Sequence, residues 1–170
     1  DEGNALLRQA IALDADFALA YAELGRRYYL EGERATREQA EQLFAKALQL
    51  TDRLGLRERL WIQAVAEDSR GNRQEAAVAY KAYLAQYPDD SSAWFRLAWT
   101  QMATLGQFKE AAEGFKQVIR LQPNDLGAHI NLASAYSGME DIEAAIPAYQ
   151  KAFTLEPAAI FGTFVNHEYG

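Results

Sequence analysis

Proline stands at positions 88, 123 and 157, and each time it closes a run of helical character: YKAYLAQYP, FKQVIRLQP and YQKAFTLEP. A period of 34 to 35 residues constrains the fold more than any single motif. A chain that repeats at this length stacks like units along one direction instead of folding around one centre. An aromatic residue recurs at Phe44, Tyr80, Phe115 and Tyr149, always four places after an alanine at Ala40, Ala76, Ala111 and Ala145. A small residue recurs at Gly25, Ala64, Ala98 and Ala133, with a longer first interval because EGERATR and TDRLGLRE carry extra residues. The pattern predicts one array with full repeats at 18–53, 57–90, 91–125 and 126–157. Residues 3–14 read as a partial leading repeat and 158–170 as a truncated helix.

Within each repeat the apolar residues fall at helical spacing. In the third they are Trp94, Leu97 and Ala98, then Ala111, Ala112, Phe115, Val118 and Ile119. Each repeat is therefore expected to be two amphipathic helices. Gly32, Gly71, Gly106 and Gly138 are the expected breaks inside the repeats, and the recurrent prolines end the second helices. Pro147 lies within a predicted second helix, so a slight bend or a late helix start is expected there.

Composition narrows the chemistry. Seventeen basic against 24 acidic residues give a formal net charge of −7, the wrong sign for a phosphate backbone or an anionic membrane surface. Every apolar stretch is interrupted well before the roughly 20 residues a membrane span needs. The absence of cysteine removes thiol catalysis and thiolate metal sites and leaves the compartment open. The only two histidines, His129 and His167, have no second histidine at ligand spacing. Glu67 and Asp68 are adjacent, so on a helix they point about 100° apart and do not form a catalytic carboxylate pair. The glycines mark turns and never form a phosphate loop. The expectation is a non-enzyme with no cofactor and no metal.

The pattern resembles the tetratricopeptide repeat, a 34-residue helix-turn-helix unit. The third repeat supplies Trp94, Leu97, Ala98, Gln101, Ala111, Phe115, Val118 and Pro123 at the signature slots, and the fourth supplies His129, Leu132, Ala133, Tyr136, Ala145, Tyr149, Ala152 and Pro157. Departures are His129 in an apolar slot, Gln63 and Glu67 in the second repeat, and Asp52 where the first would have proline. The resemblance covers nearly the whole chain and implies an all-α, right-handed α-solenoid. It also implies a core role for Tyr21, Phe44, Tyr80, Trp94, Phe115 and Tyr149, with Ala98 and Ala133 at close helix contacts.

In that family the first helices line a concave groove. Carried over slot by slot, the groove receives Ala22, Trp61, Phe95 and Ile130, then Arg26, Val65, Trp99 and Ser134, then Tyr29, Asp68, Met102 and Ser137. The expected site is an apolar stripe of Trp61, Phe95, Trp99, Met102 and Ile130, with Tyr29 beside it and a margin of Arg26, Asp68 and Arg96. Its expected occupant is a protein or peptide. Of the basic and amide residues that family members use to clamp acidic chaperone tails, only Arg96 matches, so that ligand is not expected.

Two other roles fit the same pattern. One is a structural spacer or self-assembly module acting through exposed array ends, where Leu6, Leu7 and Ile11 at one end and Phe153, Ile160, Phe161 and Phe164 at the other lack neighbours. The other is the regulatory region of a larger protein, since the chain starts at Asp1 and is loosely similar to repeat regions of bacterial signalling proteins.

Overall fold

The computed structural model describes residues 2–32 and 34–156. Among these every regular element is helical, in the order α1 (Glu2–Leu13), α2 (Ala18–Glu31), α3 (Arg34–Gln49), a short 3₁₀ turn (Thr51–Arg53), α4 (Leu56–Arg70), α5 (Arg73–Gln86), α6 (Ser91–Ala103), α7 (Phe108–Leu121), α8 (Leu126–Gly138) and α9 (Ile142–Leu155). The truncated helix expected at 158–170 lies outside the described residues. The helices group into two compact units that divide after Pro88.

In unit 1, α1 packs on α2, α2 pairs with α3, α4 pairs with α5, and α2 also lies against α4. Leu24, Tyr28, Ala40, Phe44, Val65 and Ala66 form one buried cluster. Ala18, Ala22, Ala47, Leu50 and Ile62 form a second. Large and small side chains alternate across the hairpin, the arrangement by which interiors close-pack. At Gly25 an added Cβ would lie 3.2 Å from the Ala40 carbonyl oxygen and from Phe44 Cε1, so the small residue permits the close crossing of α2 and α3.

Unit 2 repeats the design with α6 against α7, α7 against α8 and α8 against α9. Ala98, Ala111, Ala112, Phe115, Leu132, Ala133, Ala135 and Ala148 make its core. Ala98 and Ala133 are fully buried, as expected of close-contact positions. A Cβ at Gly114 would come within 2.8 Å of the Ala98 methyl, so a pair of small residues sets the approach of α6 and α7. Phe44, Tyr80 and Phe115 are fully buried, whereas Tyr21, Trp94 and Tyr149 are half-buried.

Three of the four expected glycine breaks adopt the left-handed conformation that glycine tolerates: Gly32 (φ 77°), Gly71 (φ 84°) and Gly106 (φ 62°). Gly138 does not. It is the last residue of α8, and the left-handed position of that turn is Glu140 (φ 61°). Gly138 is small because an added Cβ would lie 2.5 Å from the Phe108 ring. Pro147 sits inside α9, which begins at Ile142 without delay. The hydrogen bond that proline cannot donate is confined to one turn.

Candidate functional site

The residues expected to line the groove are spread over both units, and the two sets have different surroundings. In unit 1, Arg26 and Tyr29 lie on α2, and Trp61 and Asp68 on α4. Arg26 donates to Glu23 through both Nε (2.9 Å) and Nη2. That bond holds the guanidinium above its usual range; burial opposes it, and the charges of Glu23, Tyr80 and Asp68 add to it. Asp68 accepts from Arg73 Nη1 at 2.7 Å and from the Tyr80 hydroxyl at 3.4 Å.

Trp61 is half-buried, with its ring 6.2 Å from Tyr80 and 5.4 Å from Tyr83. Tyr29 leans on Phe44 at 6.3 Å and lies under the Arg37 guanidinium at 5.9 Å. Its hydroxyl is pushed up, first by burial and then by Glu41, against the opposing charges of Arg37 and Arg70. These four side chains are tied into the packing of unit 1.

In unit 2, Phe95, Arg96, Trp99 and Met102 come from α6 and Ile130 from α8. Phe95 meets Phe115 edge-on at 5.5 Å, and a Cβ on Gly127 would lie 3.3 Å from its ring, so Phe95 bridges α7 and the start of α8. Met102 is partly buried against the same core. Arg96 and Ile130 are half-buried. Trp99 is different, since 47% of it is exposed. Residues 95, 99 and 102 are spaced i, i+4 and i+7, so they share one helix face. Along that face the side chains change from core at Phe95 to open surface at Trp99.

Two slots assigned to the groove belong to the core instead. Ala22 is 2% and Val65 1% exposed, because α2 and α4 pack directly on each other and close over them. Ser134 and Ser137 turn their hydroxyls back to the carbonyls of Ile130 and Ala133. His129 is buried and donates from Nε2 to the Pro123 carbonyl at 2.9 Å, which pins α8 to the turn before it. A polar residue is thus accommodated in an apolar slot by one backbone partner.

The groove pattern did not single out Arg8 on α1 and Lys46 on α3, which border a cleft of about 450 Å³ in unit 1. Among the described residues no group of three or more His, Cys, Asp or Glu side chains could hold a metal ion. None of the described helices is long and apolar enough to cross a membrane.

Stacked helix hairpins with side-chain surfaces open for contact define an all-α repeat module of the protein-interaction scaffold class. Models described as tetratricopeptide repeat match residues 60–90, 92–125 and 126–158, together more than half of the chain. This chain belongs to the tetratricopeptide repeat family.

A curated relative is the tetratricopeptide repeat and J domain-containing co-chaperone DNJ1 of Fusarium oxysporum f. sp. lycopersici, 36% identical over 93 residues, covering 55% of this chain. Another is the protein O-mannosyl-transferase Tmtc3 of Drosophila melanogaster, 39% identical over 54 residues and 32% of this chain. The matched parts are 18% and 6% of those relatives' lengths. Among solved structures, YrrB, described as a TPR protein with an unusual peptide-binding site, superposes with a TM-score of 0.66 at 21% identity over 96% of this chain and 81% of its own. MamA superposes with a TM-score of 0.63 at 19% identity over 91% and 81%. Both likenesses are of fold.

Proposed function

We propose that this chain is a peptide-binding module whose contact surface lies in unit 2 and is centred on Trp99. The observation that carries this is the exposure of an indole on the α6 face beside Arg96 and Met102. A large aromatic ring left nearly half in water contributes little to folding and much to binding, because partner contact removes area that folding left exposed. Phe95 and Ile130 support it from the core side, and Arg96 adds a charge at the margin. In unit 1, Arg26, Tyr29, Trp61 and Asp68 serve folding first, since each already has partners within the unit. The co-chaperone name of one relative agrees with a role in protein contact.

The test is Trp99→Ala against a displayed library of short peptides selected on the wild-type protein. The expected result is a melting temperature close to wild type and a loss of selected-peptide affinity of about 2 kcal/mol or more. Unfolding of the variant, with affinity retained in the folded fraction, refutes the reading.

A second reading, self-assembly through the array ends, is favoured by one observation. Ile142, Ile146 and Phe153 are all about half exposed or more and lie within one narrow stripe of α9. Leu6 and Leu13, seven apart on α1, are exposed as well, while Leu7 and Ile11 pack on the unit 1 core. Ile160, Phe161 and Phe164 lie outside the described residues. If the ends drive assembly, sedimentation shows concentration-dependent association that Phe153→Asp weakens; a monomer at high concentration refutes it.

A further inference from the structure

α1 and α3 each pack on α2 but make hardly any contact with each other, which leaves a cleft of about 450 Å³ with α2 as its floor. That volume falls within the roughly 300–1,000 Å³ of sites that hold ligands. Its apolar wall is made by Ile11, Leu24 and Leu43. Its charged groups are Arg8 on one side and Lys46 on the other, and no carboxylate lines it.

In a chain of net charge −7 two cations without a lining acid stand out. Among the described residues Lys46 Nζ has no hydrogen-bond or ion-pair partner. Arg8 gives Nε (3.0 Å) and Nη2 to the Tyr28 hydroxyl and has no carboxylate partner among the described residues, so its charge stays uncompensated. The tyrosine holds the guanidinium at the cleft without neutralising it.

We infer that this cleft is a second binding site, distinct from the Trp99 surface, and that its occupant is an acidic peptide segment with aliphatic side chains. Leucine-sized groups of the peptide fill the wall between α1 and α3, and its carboxylates meet Arg8 and Lys46. Charge complementarity selects such a partner. Nucleic acid and anionic membranes present negative charge over an area where the net charge of this protein repels them. An amphipathic segment laid between two helices is a recurrent recognition mode.

The test uses a fluorescein-labelled, end-capped peptide of sequence Glu-Leu-Leu-Glu-Glu-Leu-Leu-Glu, with a second peptide carrying Gln for every Glu. Fluorescence anisotropy is expected to show saturable binding of the acidic peptide and at least tenfold weaker binding of the Gln peptide. Lys46→Glu should weaken the acidic peptide at least tenfold and Lys46→Arg should restore it, at unchanged melting temperature. Trp99→Ala should leave this affinity alone, so the cleft and the unit 2 surface fail or succeed separately.

The inference is overturned by equal binding of the two peptides, by full affinity in Lys46→Glu, or by no saturation at millimolar peptide. Displacement by decanoate at concentrations well below those of unlabelled peptide overturns it too, by assigning the cleft to a small amphipathic acid.

Discussion

In unit 1 the hairpins are tied together by charged and aromatic side chains. Arg70 on α4 reaches back to Glu41 on α3 at 3.0 Å, binds Glu67 at 3.2 Å and covers the Phe44 ring at 5.6 Å. Trp61, Tyr80, Tyr83 and Tyr87 form a chain of tilted and edge-on rings. The starts of α2, α4 and α5, at Phe17, Gly55 and Asn72, have no side-chain cap.

Unit 2 relies on other means. Asp90, Asp125 and Asp141 cap α6, α8 and α9 by accepting from the amides of Ala93, Ala128 and Ala144. Its helices approach through alanine and glycine. One hairpin architecture is thus held by cross-links between elements in one unit, and in the other by close helix contacts with three of its four helices capped, α7 starting at Gln107 without a side-chain cap. Cross-linking also occupies the side chains that could have met a partner, which is why the open indole belongs to unit 2.

Tryptophan truncation puts the largest strain on this contrast. Trp61→Ala should lower the unfolding free energy by about 3 kcal/mol, the low end for a buried aromatic, and Trp99→Ala by about 1 kcal/mol or less. Equal losses in urea melts would erase the distinction between a committed and a free indole. Next comes the small-residue contact of unit 2: Ala98→Leu has to displace Gly114 and should cost about 1–3 kcal/mol. An unchanged melt would mean that α6 and α7 are not set by that contact.

A smaller effect separates the caps. Asp125→Ala should cost about 1 kcal/mol and Asn72→Ala less than about 0.5 kcal/mol, by thermal melts of each, since only the first removes a cap bond. The smallest effect is alkaline and belongs to Tyr29. A phenol whose folded-state value is raised stabilises the fold fully below the ordinary tyrosine value near 10, and that contribution fades as pH rises through the folded value. Urea unfolding between about pH 9 and 11.5 should therefore show a shallower alkaline decline in Tyr29→Phe than in wild type. Identical slopes would detach Tyr29 from the Glu41 and Arg70 cross-links.

The helices and their pairing were legible because proline, alanine and aromatic positions recur in a fixed order, and each carries a steric reason for its place. The site was only partly legible. A slot number says which way a side chain leaves its helix and not how closely the next helix approaches, so Ala22 and Val65 read as lining and are core. Trp61 and Trp99, though in different slots, both read as groove lining. Their difference comes from Tyr80 and Tyr83, which reach Trp61 from the second helix of its own hairpin. The Arg8 and Lys46 cleft had no sequence signal at all, because it arises where α1 and α3, far apart along the chain, fail to meet.

Gly138 carries a lesson about tolerance to substitution. By accessibility it is an exposed position at a helix end, the kind of place where almost any residue is accepted. Yet the Phe108 ring occupies the space into which any side chain would grow. In a saturation scan, position 138 should therefore behave like an interior site, while Ile146, large, apolar and 49% exposed, should accept polar residues freely. For this chain the volume next to a Cβ, more than the water around it, decides which surface positions are free to vary.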